Sequence, residues 1–272
     1  MHSAHRTPFD AASCCSFSYC YRYVFYDTMI EFRMNKPYIS VIIPTFNEEK
    51  YIHRCLTALK RQRTGYQFEV LLIDHESTDK TRAIARPFDV RIMDEKRRGT
   101  AVARQTGAEH AKGEILAFTE ADCAPPSDWI DRIGEHFQRH PNDVGITGRY
   151  YFDDATPFSM RLSLFLMSLG NYLYRIGRGH YPFRGTNSAG NKAIILKAGG
   201  FREEGAPFDD ADCSTRVARY GYISYMPNFV VKTSSRRIKG RFFSYAKELI
   251  YSSIRVFILK HKGDIRWYKV IR

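Results

Sequence analysis

Tyr38-Ile39-Ser40-Val41-Ile42-Ile43-Pro44 is a short apolar run closed by a proline. It is too short for a helix and too continuously apolar for a half-exposed strand. It therefore reads as a strand buried on both faces, the kind that parallel sheets contain. Working outward, the pattern repeats. Asn47-Glu48-Glu49 opens a predicted helix running to about Arg61, with Ile52, Cys55, Leu56 and Leu59 on one face. Phe68 to Ile73 is a second buried strand, ending at Asp74, and Ser77-Thr78-Asp79 is expected to cap the next helix with side-chain oxygens. Val90 to Met93 is a third strand, Ala101 to Ala111 a helix rich in small residues, and Ile115 to Thr119 a fourth strand running into Glu120-Ala121-Asp122. This alternation predicts an α/β fold built on a doubly wound, mostly parallel sheet. Ligands of such sheets sit at the carboxyl ends of the strands, where Asp74 and Asp122 fall.

The second half is less regular. Trp129 to His140 reads as a helix and Val144 to Phe152 as a strand. Met160 to Ile176 is strongly apolar but interrupted by Arg161, Asn171 and Arg175, and Gly185 to Gly200 is rich in glycine. The organisation expected is an N-terminal extension over residues 1–37, an α/β body over 38–232 that divides into 38–125 and 126–232, and a basic helical tail over 233–272. The leading segment has adjacent cysteines, clustered tyrosines and no hydrophobic period. It is expected to be disordered or to precede the true start at Met34 or Met29; the other reading is an extension packed on the body.

Apolar residues make up 44% of the chain, enough for a sizeable core. Its 42 lysines and arginines against 29 acidic residues give a net charge of +13. Eleven basic and two acidic residues between Arg236 and Arg272 supply most of that excess, which suits an anionic surface as partner. None of the six cysteines sits in a zinc-type spacing, and reduced thiols in a cytoplasmic protein are expected. No apolar run reaches the roughly 20 residues of a spanning helix, and no signal-peptide pattern opens the chain.

The chemistry centres on carboxylates. Glu120 and Asp122, two residues apart beyond a buried strand, can point into one cleft and hold a hard cation such as Mg²⁺ or Mn²⁺. An E-x-D triplet alone reads as readily as a solvated turn. Its company decides otherwise: Pro44-Thr45-Phe46-Asn47-Glu48; Asp74 with Ser77-Thr78-Asp79; Gly99 with Ala103-Arg104; Phe118 to Asp122 with Pro125-Pro126 and Asp128-Trp129; Gly185-Thr186-Asn187-Ser188-Ala189; Gly199-Gly200-Phe201; and Asp209-Asp210-Ala211-Asp212 follow in one order. This ordered set, from Tyr38 to Tyr222, resembles the inverting family 2 glycosyltransferases of GT-A fold, which move a sugar from a nucleotide-sugar donor to an acceptor hydroxyl.

The resemblance makes 38–232 a GT-A catalytic domain with a donor half (38–125) and an acceptor half (126–232), and it implies roles residue by residue. Pro44, Thr45, Asn47, Glu48, Asp74, His75, Arg104 and Glu120 would bind the donor, and Asp122 would hold the Mg²⁺ or Mn²⁺ on its diphosphate. Asp210 would be the general base, with Asp209, Asp212 and Asn187 on the acceptor side; Asn187 reads equally as a residue holding a turn. Two positions depart from the pattern. His75 replaces an aspartate that can read uracil, and Glu76 replaces a common glycine. The Q-x-x-R-W sequence of processive relatives is absent, which favours single addition over polymerisation.

In the tail, Phe242, Ala246, Leu249, Ile250, Ile254 and Phe257 follow helical spacing between basic residues. A basic amphipathic helix of this kind lies in the interface of an anionic membrane; the other reading docks it on the catalytic domain. The expectation is peripheral attachment at the inner face of the membrane, with a sugar or lipid-linked acceptor. Rival readings are a non-catalytic protein of the same fold and a basic nucleic-acid-binding protein, the latter without any recognisable reader motif.

Overall fold

The computed structural model describes residues 37–153, 155–203 and 209–236. The expectations for the N-terminal extension up to residue 36, including Cys14, Cys15 and Cys20, and for the amphipathic helix of the tail lie outside the described residues.

Strand β1 (Ile39–Thr45) pairs in parallel with β2 (Phe68–Asp74) on one side and β4 (Ile115–Phe118) on the other, and β2 pairs in parallel with β3 (Arg91–Asp94). Ile39 lies opposite both Phe68 and Ile115, so the three central strands start level. Thr45, Asp74 and the residues just past Phe118 consequently emerge along one rim. Beyond β4 the direction changes. β7 (Ser188–Asn191) is antiparallel to β4 and to β6 (Asp143–Phe152), while β8 (Tyr222–Thr233) is parallel to β6 and antiparallel to the short β5 (Cys123–Ala124). The order is β3-β2-β1-β4-β7-β6-β8-β5. One sheet runs unbroken through residues 38–125 and 126–232.

The period of two in β1 sorts its side chains to opposite faces. Ile39, Val41 and Ile43 pack with Ile52, Leu56 and Leu59 of α1 (Ile52–Lys60) and with Ile130 and Ile133 of α4 (Trp129–Arg139). Ile42 packs on the other face with Leu71, Ile73, Ala103 and Ala108, the last two from α3 (Thr100–His110). That second layer is completed by Ile195 of α6 (Lys192–Lys197) and Val217 of α7 (Asp209–Val217). Each such aliphatic side chain contributes about 1.5–3 kcal/mol by leaving water. Cys55, Cys123 and Cys213 are free thiols buried in these layers. Trp129 is core, stacked at 6.0 Å on Phe229.

Two local expectations are corrected. The first helix begins at Ile52, not at Asn47. Asn47 has φ +53°, outside the helical region, and the N–H groups of residues 47–49 bond across to the next loop. Ser77 and Asp79 take the N–H groups of Asn47 and Glu49, and Thr81 that of Glu48; Asp79 also accepts from the N–H of Thr81, the first residue of α2 (Thr81–Ala85). Strand β8 has no counterpart in the sequence pattern, where Pro227 and Asn228 conceal it. Its register against β6 jumps there, from Thr147 opposite Tyr225 to Arg149 opposite Val230.

The apolar Met160–Ile176 stretch is the middle of α5 (Pro157–Arg178). Thr156 caps its start by accepting from the Ser159 N–H, proline occupies its first turn, and Gly179 ends it with a left-handed φ of 82°.

Candidate active site

The rim of the sheet carries two loops that are fastened to each other. The Asn47 carboxamide oxygen accepts from the Thr78 N–H at 2.9 Å, and the Asn47 N–H donates to Ser77 Oγ at 2.9 Å. The Glu48 N–H donates to Thr81 Oγ1 at 2.7 Å and the Glu49 N–H to Asp79 Oδ2 at 3.1 Å. Glu76 turns the second loop with φ +48°, so the left-handed position is kept although the glycine is not. Asp74 is fully buried and accepts from the Ser77 N–H at 3.1 Å and the Ser77 hydroxyl at 2.5 Å, with Arg82 3.7 Å away. Its carboxylate holds the loop from beneath. Pro44 is half-buried, and Thr45 is buried with its hydroxyl on the Ile43 carbonyl. His75 lies beside the loop with Nδ1 2.8 Å from the Glu95 carbonyl and its ring against the exposed Phe46. Hydrogen bonds from Arg97 and Thr106 outweigh burial and hold the Glu95 carboxyl down at about 2.

Asp122, just past β4, is buried. It accepts from Arg236 Nε at 3.0 Å and from the Thr233 hydroxyl at 3.3 Å. The same Arg236 guanidinium bridges to Glu48 and lies 4.4 Å over the Tyr51 ring. Beneath it, Arg54 binds the Asp122 carbonyl oxygen and the Asp153 carboxylate, the latter at 2.6 Å. The residues fit a hard divalent ion. Asp122 and Glu48 supply carboxylate oxygens close enough for one cationic group to bridge them, and diphosphate oxygens and water would complete the shell. Among the described residues no three Asp, Glu, His or Cys side chains gather as a ready-made metal cage.

The third cluster lies at the start of α7. Asp209 is buried and paired with Arg104 Nη1 at 2.7 Å; Glu120 is 3.7 Å from the same guanidinium. Burial opposes charge on Arg104, but Asp209, Asp210 and Glu120 outweigh it and raise its pKa. Arg104 is thus enclosed by carboxylates, with 3% of its surface exposed, and it positions Asp209 and Glu120. Gly185 makes this possible, because a Cβ there would sit 1.8 Å from Arg104 Nη2. The Gly185 N–H donates to Asp210 Oδ2 at 2.9 Å and the Ala211 N–H to Asp210 Oδ1 at 2.8 Å. Crowding away from water raises the Asp210 pKa, the Asp209 charge adds to it, and Arg104 and the two N–H groups offset part. Asp212 faces away, held by Arg216 Nη2 at 2.8 Å. Arg216 also binds the carbonyls of Ala198 and Gly200, which pins the Gly199-Gly200 turn to α7.

Asn187 is the structural alternative of its two readings. It has no exposed surface; its Oδ1 accepts from Trp129 Nε1, and its Nδ2 donates to the Arg149 and Phe229 carbonyls. Its amide joins α4, β6 and β8. The sequence reading passed over Arg54, Tyr51, Asp153 and Thr233, and named Arg236 only as a flank of the tail. The pairing of β8 with β5, which sets Cys123 opposite Thr233, and with β6, which sets Phe152 opposite Thr233, brings Asp153, Thr233 and Arg236 to Asp122. Near Asp210, Arg184 donates to Asn171 of α5 at 2.6 Å and Arg149 to Ser168, one turn earlier, at 3.2 Å.

A rim of fastened donor loops, a carboxylate past the fourth strand and a carboxylate cluster on a following helix define the GT-A class of nucleotide-sugar transferase fold. The sequence profile of glycosyl transferase family 2 matches residues 40–200, more than half of the chain, and the chain belongs to that family. Glycosyltransferase AglE of Haloferax volcanii is 39% identical over 103 residues, covering 35% of this chain and 34% of its own. A Methanococcus voltae enzyme is 32% identical over 123 residues, covering 41% of this chain and 38% of its own. It is named dolichyl N-acetyl-alpha-D-glucosaminyl phosphate 3-beta-D-2,3-diacetamido-2,3-dideoxy-beta-D-glucuronosyltransferase. The chain thus spans little more than a third of the length of these relatives. Among solved structures, the Pyrobaculum calidifontis mannosyltransferase PcManGT in complex with GDP-Man and Mn²⁺ superposes with a TM-score of 0.64 at 21% identity, over 91% of this chain and 74% of that one. The Mycobacterium tuberculosis glucosyl-3-phosphoglycerate synthase with Mn²⁺, UDP-Glc and phosphoglyceric acid gives 0.53 at 17%, over 71% and 70%.

Proposed function

We propose that this chain is an inverting glycosyltransferase that moves a sugar from a nucleotide-sugar donor to an acceptor hydroxyl by single displacement, with Asp210 as general base. One observation carries the assignment. Of the three carboxylates opening α7, Asp209 pairs with Arg104 at 2.7 Å and Asp212 with Arg216 at 2.8 Å, while Asp210 accepts hydrogen bonds from the Gly185 and Ala211 N–H groups and feels Arg104 only at longer range. A carboxylate of raised pKa that is not locked in a close ion pair is suited to take a proton. In the step, the acceptor oxygen attacks the anomeric carbon as the bond to the diphosphate breaks. The electron pair leaves on the diphosphate and the hydroxyl proton passes to Asp210. The rim loops 46–49 and 75–79 would cradle the nucleotide through their backbone, and Glu120, fixed by Arg104, would face the sugar. Asp122 with Glu48 would hold Mg²⁺ or Mn²⁺, which would supply charge stabilisation to the leaving diphosphate. The absence of a processive signature supports single addition.

A lipid-linked or membrane-surface acceptor is the finer reading. The dolichyl-phosphate-linked substrate named for the Methanococcus relative supports it, as does the basic chain beyond Arg236. Among the described residues no helix is long and apolar enough to cross a membrane, so attachment would be peripheral, at the inner face.

Nucleotide release, measured across UDP-, GDP- and dTDP-sugars with Mn²⁺ or Mg²⁺, tests the activity. Asp210→Asn keeps the shape and removes the base, so kcat should fall by roughly 10²–10⁴. Donor affinity by calorimetry should change by less than about threefold, well short of the tenfold that 1.4 kcal/mol represents. Near-normal kcat in Asp210→Asn would place the base elsewhere.

A further inference from the structure

Helix α5 is the most apolar surface of the described residues. Of their eleven exposed large hydrophobic side chains, eight lie on it: Phe158, Leu162, Phe165, Leu166, Leu169, Tyr172, Leu173 and Ile176. They recur at intervals of three and four residues, which draws them into one stripe. From Phe158 to Ile176 the stripe is about 27 Å long at 1.5 Å per residue. Phe158 is 76% exposed and Ile176 65%. A soluble surface rarely keeps so long an apolar strip uncovered.

Charge decides what covers it. The helix has Arg161, Arg175 and Arg178 and no acidic residue. A second copy of this helix laid against the first would face arginines with arginines. The chain beyond Arg236, with its large basic excess, would do the same. An anionic bilayer meets both demands, with acyl chains for the stripe and headgroups for the arginines. The start of α5 and the end of β8 also lie close together. The Asp153 N–H donates to the Thr233 carbonyl and the Asp153 carboxylate accepts from the Ser235 N–H, so in sequence both α5 and the basic stretch follow that junction within a few residues.

We propose that α5 lies flat in the interface of an anionic membrane, with its apolar stripe in the lipid. Its opposite face then sets the active site against the bilayer. From that face Ser168 and Asn171 accept from Arg149 and Arg184, and the Tyr174 hydroxyl lies 3.5 Å from Thr215 of α7, the helix that carries Asp210. The proposal deepens the membrane-surface reading above by naming the surface and its lipid, and its test does not depend on transfer.

The full chain is mixed with vesicles of phosphatidylcholine alone and with about 30% phosphatidylglycerol, and the bound fraction is read by sedimentation. The intact chain should bind the anionic vesicles preferentially. Raising salt from about 0.1 M to about 1 M, which shortens the Debye length from about 10 Å to about 3 Å, should weaken binding. The triple variant Phe165→Ser, Leu169→Ser, Ile176→Ser should partition at least about tenfold less, because interfacial binding scales with buried apolar area. It should still bind donor as the parent does. In Phe165→Trp, the added fluorescence should shift to the blue and be quenched by brominated lipid. Equal partition of the triple variant and the parent would overturn the proposal. So would an added tryptophan indifferent to vesicles, or a dimer in light scattering that the triple variant abolishes. Loss of transfer with vesicle binding intact would count against the glycosyltransferase reading and leave this one standing.

Discussion

Asp210 shows how a residue suited to a reaction can weigh against the fold. Its raised pKa means that the folded chain disfavours its ionised form. The stability it contributes is full below its ordinary value of 3.8 and is lost as pH rises through the raised value in the fold. Asp210→Asn should therefore melt higher than the parent near neutrality, with the difference closing as pH falls toward 3.8, in paired thermal scans. A variant less stable at neutral pH would show that the carboxylate is held favourably. Its neighbour should behave oppositely. Asp209→Asn leaves the buried Arg104 without its close partner and should cost about 3–5 kcal/mol in denaturant unfolding. Gly185→Ala pushes a methyl into Arg104 and should cost about 1–3 kcal/mol while lowering turnover; unchanged stability would mean that Arg104 moves aside freely. At Asp122 the competing cation is Arg236. Arg236→Ala should tighten Mn²⁺ binding to the donor-free protein, read by electron paramagnetic resonance, and equal affinity would count against Asp122 as the metal ligand. The acidic residues were legible from their motif positions. Arg236 was not, because 114 positions separate it from Asp122 and no local pattern links them.

Among elements, the two rim loops were legible as motifs but not as partners. Asn47 and Ser77 each look like local turn residues, yet their hydrogen bonds span about thirty positions. Asn47→Ala removes the acceptor that holds the Thr78 N–H and the side chain that tolerates a left-handed backbone. It should cost about 1 kcal/mol of stability, the ordinary worth of such a bond. Donor affinity should fall more than turnover if the loops cradle the nucleotide, and calorimetry beside steady-state kinetics separates the two. Helix α5 was legible as an apolar run, since composition marks it. Its exposure was not, because the same pattern suits a buried helix and only the packing of neighbours decides.

Across the whole molecule, the continuous sheet makes the donor and acceptor halves one unit. β4 is bordered by β7, which comes from the acceptor half. A fragment of residues 34–125 would leave β4 as an open, fully apolar edge and strip the cover from Phe118, whose ring packs on Phe201. It should be insoluble or lack dispersed amide resonances; a well-dispersed spectrum would mean that the halves fold independently.

The sequence by itself determined the parallel half of the sheet, the family and the carboxylates that emerge at the strand ends. Those features rest on short-range periodicity and on motifs carried within single strand–helix units, such as Tyr38 to Pro44 or Phe118 to Asp122. Only the tertiary structure decided that β8 lies beside β6, that Asn187 is a buried brace, that Arg104 serves carboxylates, and that Arg236 returns to Asp122. Each depends on contacts between segments far apart in the chain. There the outcome is set by which buried charge or amide finds a partner, since a buried polar group without one costs more than local propensity can supply.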